Sequence, residues 1–331
     1  MQEPLLKLVD NLSNHKVMVI GDMVADVYLE GKISRISREA PVLVLEHSGE
    51  TVVPGGAANA VHNAATLGGA VFAVGVVGDD AAGRELAAIL AGKHVHTEGL
   101  IVDRARPTIT KTRVMAGGLA TVRQQVVRID REAKGAMSPA VEQSILGYIT
   151  ANIDAMAAVV MSDYGSITLS PAVREAVIAA CRRLGIPCIV DSRYNILAFA
   201  GATVVKQNEA EVAAALGYAA LEGQRLVEAG QKMLTVMAAD AIMLTRGPDG
   251  MSLFEAGGKV THIPVSDVSE VFDVTGAGDT AVVTAALALA AGASCVEATR
   301  LANFAAGIVV RKPGTATTTT AELREAVGTL S

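Results

Sequence analysis

Short apolar runs alternate with amphipathic stretches along most of the chain. Runs at Val17–Ile20, Val71–Val77, Ala157–Met161, Cys188–Val190, Val204–Val205 and Ala241–Leu244 are nearly continuous in small and branched apolar residues. A strand covered on both faces requires that composition. Between them, Ala57–Leu67, Ala81–Leu90, Pro139–Ile153, Pro171–Leu184, Glu209–Leu216 and Gln224–Met237 have helical spacing. Ser170 before Pro171, and Gly185 after Leu184, supply the start and stop signals of one of these helices. Such alternation predicts an α/β fold with an open, mostly parallel central sheet flanked by helices. Val27–Glu46 and Thr108–Ile129 break the pattern: they are rich in β-branched residues and lack a helical period. They predict antiparallel strands inserted into the core as a small β-sheet lid, formed by about residues 24–54 and 106–130. Open α/β sheets take ligands at the carboxyl ends of their strands, where such a lid would fold over. No repeat or Pro-rich linker divides the chain, so residues 1–331 are expected to form a single domain.

Composition narrows the class. Half the chain is apolar (51%) and 19% is charged, which excludes global disorder. The formal net charge of −6 argues against nucleic acid as a partner, since phosphate contacts need clustered Lys and Arg. The uncharged stretch beginning at Thr280 ends before Glu297, short of the ~20 residues of a membrane helix. The first residues lack the regions of a signal peptide, and the three cysteines form no CxxC pair. A cytoplasmic protein with reduced thiols is expected. Neither a Walker phosphate loop, nor G-x-G-x-x-G after the first strand, nor a G-x-S-x-G elbow is present.

The sharpest chemical feature is Asp273-Val-Thr-Gly-Ala-Gly-Asp279-Thr, which leads into an apolar helical run. Gly276 and Gly278 let backbone amides converge on an anion, and the helix adds its positive end. A carboxylate inside such a cradle repels phosphate unless it accepts a proton from the attacking hydroxyl. A glycine-rich turn with Asp279 capping a helix is the plainer alternative.

Asp273–Thr280 resembles the second signature of the ribokinase-like (PfkB) sugar kinases. Pro54-Gly55-Gly56-Ala57-Ala58-Asn59 is similar to the first signature, Asn208-Glu209-Ala210-Glu211 to the N-x-x-E motif, and Thr245-Arg246-Gly247-Pro248-Asp249-Gly250 to a nucleotide-binding turn. These motifs occur in the family's order, from Gly21-Asp22 to Ala305-Ala306-Gly307. Gly31–Val44, Thr108–Val114, Gln124–Asp130 and Met161–Tyr164 resemble the branch that phosphorylates D-glycero-D-manno-heptose 7-phosphate, in the synthesis of ADP-heptose for lipopolysaccharide.

The resemblance implies an ATP-dependent carbohydrate kinase using Mg²⁺, with direct in-line phosphoryl transfer to the anomeric hydroxyl. It implies Asp279 as general base and Gly276, Ala277 and Gly278 as amide donors. Asp22, Gly55, Gly56 and Asn59 are expected to grip sugar hydroxyls, and Lys111, Arg113 and Arg128 to hold the substrate's phosphate, with Arg123 a further lid cation. Nucleotide contacts are expected from Asn208, Thr245, Arg246, Gly247, Gly250 and Asn303. Glu211 is implied as the Mg²⁺ carboxylate. Asp273 either helps bind a monovalent cation such as K⁺ or anchors its loop.

Two places depart from the heptose kinase pattern. Asp191-Ser192-Arg193 stands where Asp-Pro-Lys is expected, and Lys206-Gln207 stands where Thr-Pro is expected. They bear on which sugar is used and leave open a kinase of fructose 1-phosphate or ribose, or a non-catalytic nucleotide-binding protein. The chain ends at Ser331, so the nucleotidyltransferase domain often fused to such kinases is expected on another polypeptide. A homodimer formed through the lid is expected, because a small exposed sheet has edges and an apolar face to bury.

Overall fold

The computed structural model describes residues 2–118, 121–132, 135–166, 168–265 and 271–329. A first helix, α1 (Gln2–Asp10), leads to β1 (Lys16–Gly21), which ends one residue before the long strand β2 (Met23–Ile36). The chain returns along β3 (Leu43–Gly56) directly into α2 (Ala57–Thr66), then β4 (Ala70–Gly78), α3 (Ala81–Ala91) and β5 (His96–Asp103). A hairpin of β6 (Ile109–Gly118) and β7 (Thr121–Arg131) follows, then α4 (Pro139–Asn152), β8 (Ala158–Asp163), α5 (Pro171–Leu184) and β9 (Cys188–Ser192). The second half holds β10 (Val204–Asn208), α6 (Glu209–Leu216), α7 (Gln224–Met237) and β11 (Ala241–Thr245). It continues with β12 (Met251–Glu255), β13 (Lys259–Ile263), α8 (Ala277–Ala290), α9 (Cys295–Val309) and α10 (Thr320–Gly328).

The strands form a nine-stranded sheet in the order β13-β12-β11-β10-β9-β8-β1-β4-β5 and a four-stranded sheet in the order β3-β2-β6-β7. From β5 to β11 all neighbours of the large sheet are parallel, and β12 and β13 close one edge antiparallel. Every residue of β8 is buried, as an interior strand between two helical layers demands. Successive side chains point to opposite faces. Val17 and Val19 pack with α2, α8 and α9, while Met18 and Ile20 pack with α4 and α5. Helix α8 is buried from Asp279 to Ala288; a helix apolar all round is one enclosed on all sides.

The small sheet differs from the all-antiparallel expectation. β2–β3 and β6–β7 are antiparallel, but β2 and β6 run parallel, from Val24↔Ile109 to Lys32↔Gly117. The reason is topological. Each hairpin leaves the carboxyl end of a parallel core strand, β1 or β5, so the two outgoing strands point the same way. Strand β2 is buried from Met23 to Val27 and exposed from Lys32 onward, so one continuous strand joins core to lid. Among the described residues no helix is long and apolar enough to cross a membrane.

Candidate active site

Helix α8 starts without a side-chain cap. Its first flanking residue, Gly276, has φ 81°, and a Cβ there would lie 2.6 Å from Asn59 Nδ2. Both the left-handed backbone and the close approach require glycine. The amides of Gly278 and Asp279 find no partner among the described residues, whereas the Ala277 N–H is directed to the Val274 carbonyl at 3.3 Å. Ala277 is thus withdrawn from the expected set of free donors, because the tight turn closes on itself there.

Asp279 is buried at the first turn of α8. Asn59 Nδ2 donates to its Oδ2 and the Tyr164 hydroxyl to its Oδ1, each at 2.8 Å. A second tier fixes Asn59: Asn63 Nδ2 donates to Asn59 Oδ1 at 3.1 Å, and Thr280 Oγ1 donates to Asn63 Oδ1 at 2.9 Å. Burial pushes the pKa of Asp279 up to about 6, with Asp191 adding to the rise and the Asn59, Tyr164 and Lys206 groups opposing it. Burial and the Asp279 charge push the Tyr164 phenol well up, so it stays a donor. The expectation for Asn59 is corrected: with 0% exposure and its amide on Asp279, it positions the carboxylate and does not face a sugar.

Lys206 and Asp191 face each other across the β10–β9 register. Lys206 Nζ lies 2.7 Å from Asp191 Oδ2, and the lysine side chain is 7% exposed. Burial opposes the ammonium's charge, but Asp191 outweighs it and the pKa is raised. A Cβ on Gly278 would sit 2.7 Å from this Nζ, so the ammonium abuts the start of α8. In the sequence Lys206 marked only a departure from a pattern; its role as the cation beside this turn depends on strand register.

Asp22 also differs from expectation. It is fully buried, and its carboxylate accepts the backbone N–H groups of Tyr164 (3.0 Å), Ser166 (3.1 Å) and Thr168 (3.2 Å). Burial and then Asp163 raise its pKa. It organises the loop that carries Tyr164, and its oxygens are not free for hydroxyls. The acidic group beside Gly55 is instead Asp26: a Cβ on Gly55 would lie 2.6 Å from Asp26 Oδ2. Gly56, at φ 54°, turns the chain into α2. Asp26 escaped sequence reasoning, although an acidic residue inside the buried run Met23–Val27 is a signal, since buried Asp needs a partner. That partner is Arg113, at 2.8 Å.

The lid cations separate into different environments. Arg113 stacks over the Tyr28 ring at 5.3 Å, and Lys111 lies over the Tyr164 ring at 5.4 Å. Arg128 is 48% exposed on the outer strand β7 and doubly hydrogen-bonded to Asp130, at 2.7 and 2.6 Å. It is removed from the expected phosphate clamp, because its charge is already answered at the sheet edge. The Arg123 side chain lies outside the described residues. A cavity of about 590 Å³ lies between lid and core, lined by Arg113, Tyr28, Gln125, Phe272, Thr275 and Thr315, among others.

At the other end, Asn208 pairs with Thr245 across β10 and β11. Asn208 and Glu211 form a capping box: Asn208 Oδ1 accepts the Glu211 N–H (2.8 Å), and Glu211 Oε2 accepts the Asn208 N–H (2.9 Å). Glu211 Oε1 makes no hydrogen bond among the described residues. Burial raises the Glu211 pKa. Arg246 anchors the following turn to Glu209 at 2.8 Å; Gly247 and Gly250 have φ 54° and 81°. A Cβ on Gly250 would collide with the Ile263 carbonyl. Asn303 is corrected too: it is buried in α9 and donates to the Pro264 carbonyl at 2.7 Å, tying helix to strand end. Asp273 anchors its loop, accepting the N–H groups of Thr275 (2.9 Å) and Gly314 (3.1 Å). Burial opposes its charge, yet these hydrogen bonds hold its pKa low.

The profile of the pfkB family carbohydrate kinases matches residues 14–322. "Bifunctional protein HldE" of Azorhizobium caulinodans is 44% identical over 313 residues, covering 94% of this chain and 64% of that protein. The protein of the same name from Geobacter sulfurreducens is 41% identical over 327 residues, covering 97% and 66%. The chain thus spans somewhat under two thirds of the length of these relatives. Among solved structures, Arabidopsis thaliana ribokinase complexed with ribose and ATP superposes with a TM-score of 0.73 at 20% identity, covering 96% of this chain and 100% of that one. Phosphofructokinase-2 of Escherichia coli in complex with potassium gives 0.73 at 18% identity, covering 96% and 98%. The fold is ribokinase-like: a mostly parallel sheet between helices, with a smaller sheet as lid.

Proposed function

The chain belongs to the pfkB family of carbohydrate kinases, and on that premise we propose that it phosphorylates D-glycero-D-manno-heptose 7-phosphate with ATP. The γ-phosphoryl passes to the anomeric hydroxyl, giving the 1,7-bisphosphate and ADP. The observation that carries the chemistry is Asp279: a buried carboxylate, held by two donors, at the uncapped start of α8. The sugar's identity draws on the quoted segments and on the HldE relatives, 41–44% identical.

Asp279 accepts the proton of the attacking hydroxyl. Asn59 and Tyr164 hold its two oxygens, so the carboxylate meets the hydroxyl already oriented. The Gly278 and Asp279 amides, with the positive end of α8, face the charge of the phosphoryl in flight. Lys111 and Arg113 are the cations for the substrate's existing phosphate; Arg113, held by Asp26 at 2.8 Å, lines the cavity of about 590 Å³. Gly55 leaves room for the Asp26 carboxylate, and Gly56 sets the turn. Asn208, Thr245, Arg246, Gly247 and Gly250 form the nucleotide end.

Mg²⁺, when bound, would offset the charge of the nucleotide phosphates, and Glu211 is the residue that would hold it. The ion takes most ligands from water and phosphate and needs only one or two carboxylates, which suits the open Oε1 of Glu211. No cluster of three metal-ligating side chains occurs among the described residues. A potassium ion belongs to the same proposal, as in the potassium complex of phosphofructokinase-2. Asp273 would be a residue to hold it: each of its oxygens accepts one backbone N–H and keeps a second lone pair. Exposed Ile36, Val42 and Ile129 on the lid support a homodimer through that sheet. The three free cysteines accord with the cytoplasm.

The test is turnover of a panel of sugars with ATP. Heptose 7-phosphate is expected to give the highest kcat/KM. Indifference to it, with turnover of fructose 1-phosphate or ribose, overturns the substrate; ATP binding without turnover of any sugar overturns the enzyme.

A further inference from the structure

Lys206 has no part in the scheme above, yet it is the buried cation nearest the reacting end. Its ammonium carries three donors. One meets Asp191, and no other acceptor answers it among the described residues. The ammonium abuts Gly278, where a Cβ would come within 2.7 Å. Its neighbours by charge are Asp191, Glu211 and Asp279, all carboxylates. A phosphoryl group arriving at the Gly276–Gly278 turn adds further negative charge to that cluster. A buried ion pair serving only to join β9 and β10 gains little over neutral residues of the same shape, and it would have no reason to point at the glycine turn.

We infer that Lys206 is a further catalytic residue, whose ammonium stabilises the phosphoryl in transit beside Gly278, with Asp191 as the positioning residue that aims it. The inference rests on the kinase reading above. The step balances without proton exchange at the lysine. The bond between the γ-phosphorus and its bridging oxygen breaks, with the electron pair leaving on ADP. The acceptor oxygen bonds to phosphorus, and its proton goes to Asp279. Lys206 keeps its proton throughout and supplies charge alone. Its stem packs under the turn, so the ammonium sits in a poorly solvated place where such stabilisation is strong.

The decisive variants are Lys206→Met and the double variant Asp191→Asn/Lys206→Met, which removes both charges at similar volume. The double variant is expected to melt close to the unaltered protein. Its kcat is expected to fall by about 10²–10³-fold, the scale seen on removing one preorganised donor, with the acceptor's KM little changed. A second readout needs no turnover: calorimetry of ADP with aluminium fluoride, a mimic of the phosphoryl in flight. Aluminium fluoride should tighten ADP binding to the unaltered protein, and the double variant should lose most of that tightening. A double variant with unaltered kcat and unaltered tightening overturns the inference and leaves Lys206 a structural partner of Asp191. Failure of the kinase reading shows separately, as absence of turnover by the unaltered protein on the whole panel, while the calorimetry still judges Lys206. If the double variant does not fold, Lys206→Ala with added ethylammonium decides: saturable recovery of the tightening supports the assignment, and none overturns it.

Discussion

Helices α6 and α8 begin near each other, beside the carboxyl ends of β9 and β10, and they begin in opposite ways. Asn208 and Glu211 close the start of α6 with a reciprocal capping box. The start of α8 is a left-handed glycine with no side-chain cap. Both helices carry the same backbone dipole and the same four orphan amides. The difference lies in who answers them. At α6 the chain does, which stabilises the helix and leaves one Glu211 oxygen outward. At α8 amides are left for a ligand, and the acidic residue of the first turn, Asp279, is held by Asn59 and Tyr164 from other elements. The capped start offers a ligand only the outward Glu211 oxygen, whereas the uncapped one, with its clamped carboxylate, offers free amides and a base.

Substitutions at the two starts should therefore fail differently. Asp279→Asn is expected to lower kcat by about 10²–10⁴-fold with folding retained, read from steady-state kinetics and a melting curve. Gly278→Ala comes next: its Cβ would meet Lys206 Nζ at 2.7 Å, and displacing a preorganised group by such an amount costs about 10²-fold in kcat. The pH dependence is gentler. With Asp279 raised to about 6, the ionised base is lost as pH falls through that value, so kcat should drop roughly tenfold per pH unit below it. Stability runs the other way. A carboxyl whose folded pKa is raised favours folding below its unfolded pKa, and that contribution disappears as pH rises through about 6. Opposed slopes of kcat and melting temperature in that window would mark the group; parallel slopes would exclude it. Smallest is Asn208→Ala at α6, expected to cost about 1 kcal/mol of stability, with a far smaller change in kcat than either α8 variant. Equal losses of kcat at Asn208 and Gly278 would erase the distinction between the helix starts.

Much of this architecture is legible in residue order. The apolar runs of β1, β4, β8, β9, β10 and β11 announce strands because both faces are buried, and Ser170, Pro171 and Gly185 mark the limits of α5. β5, β12 and β13 are less visible: they lie at or near the sheet edges, where mixed polarity such as His96-Thr-Glu is tolerated. The parallel β2–β6 pair is invisible locally, since pairing direction is set by where two distant segments leave the core. At the site, motif spacing located the polar groups, while orientation depended on partners far along the chain. Asn59 donates to a residue 220 positions away and Tyr164 to one 115 positions away, and Asp22 turns to backbone amides beyond Asp163. Arg128 resembled a ligand cation only until its neighbour Asp130 was placed beside it.

The continuity of β2 with the core has a mechanical consequence. The lid's first hairpin has two covalent roots: Met23 directly follows Asp22, and Gly56 directly precedes α2. Neither root is a slack linker. Any rotation of this hairpin is a bending of strands still hydrogen-bonded to each other, from Met23↔Gly56 outward. The torque is delivered at Asp22, which grips the Tyr164 loop, and at the first turn of α2, which carries Asn59. Both donors that hold Asp279 thus stand one lever arm from the lid. Closing over an acceptor and setting the base would be two ends of a single movement, and a hairpin stiffened by a crosslink should impair both together.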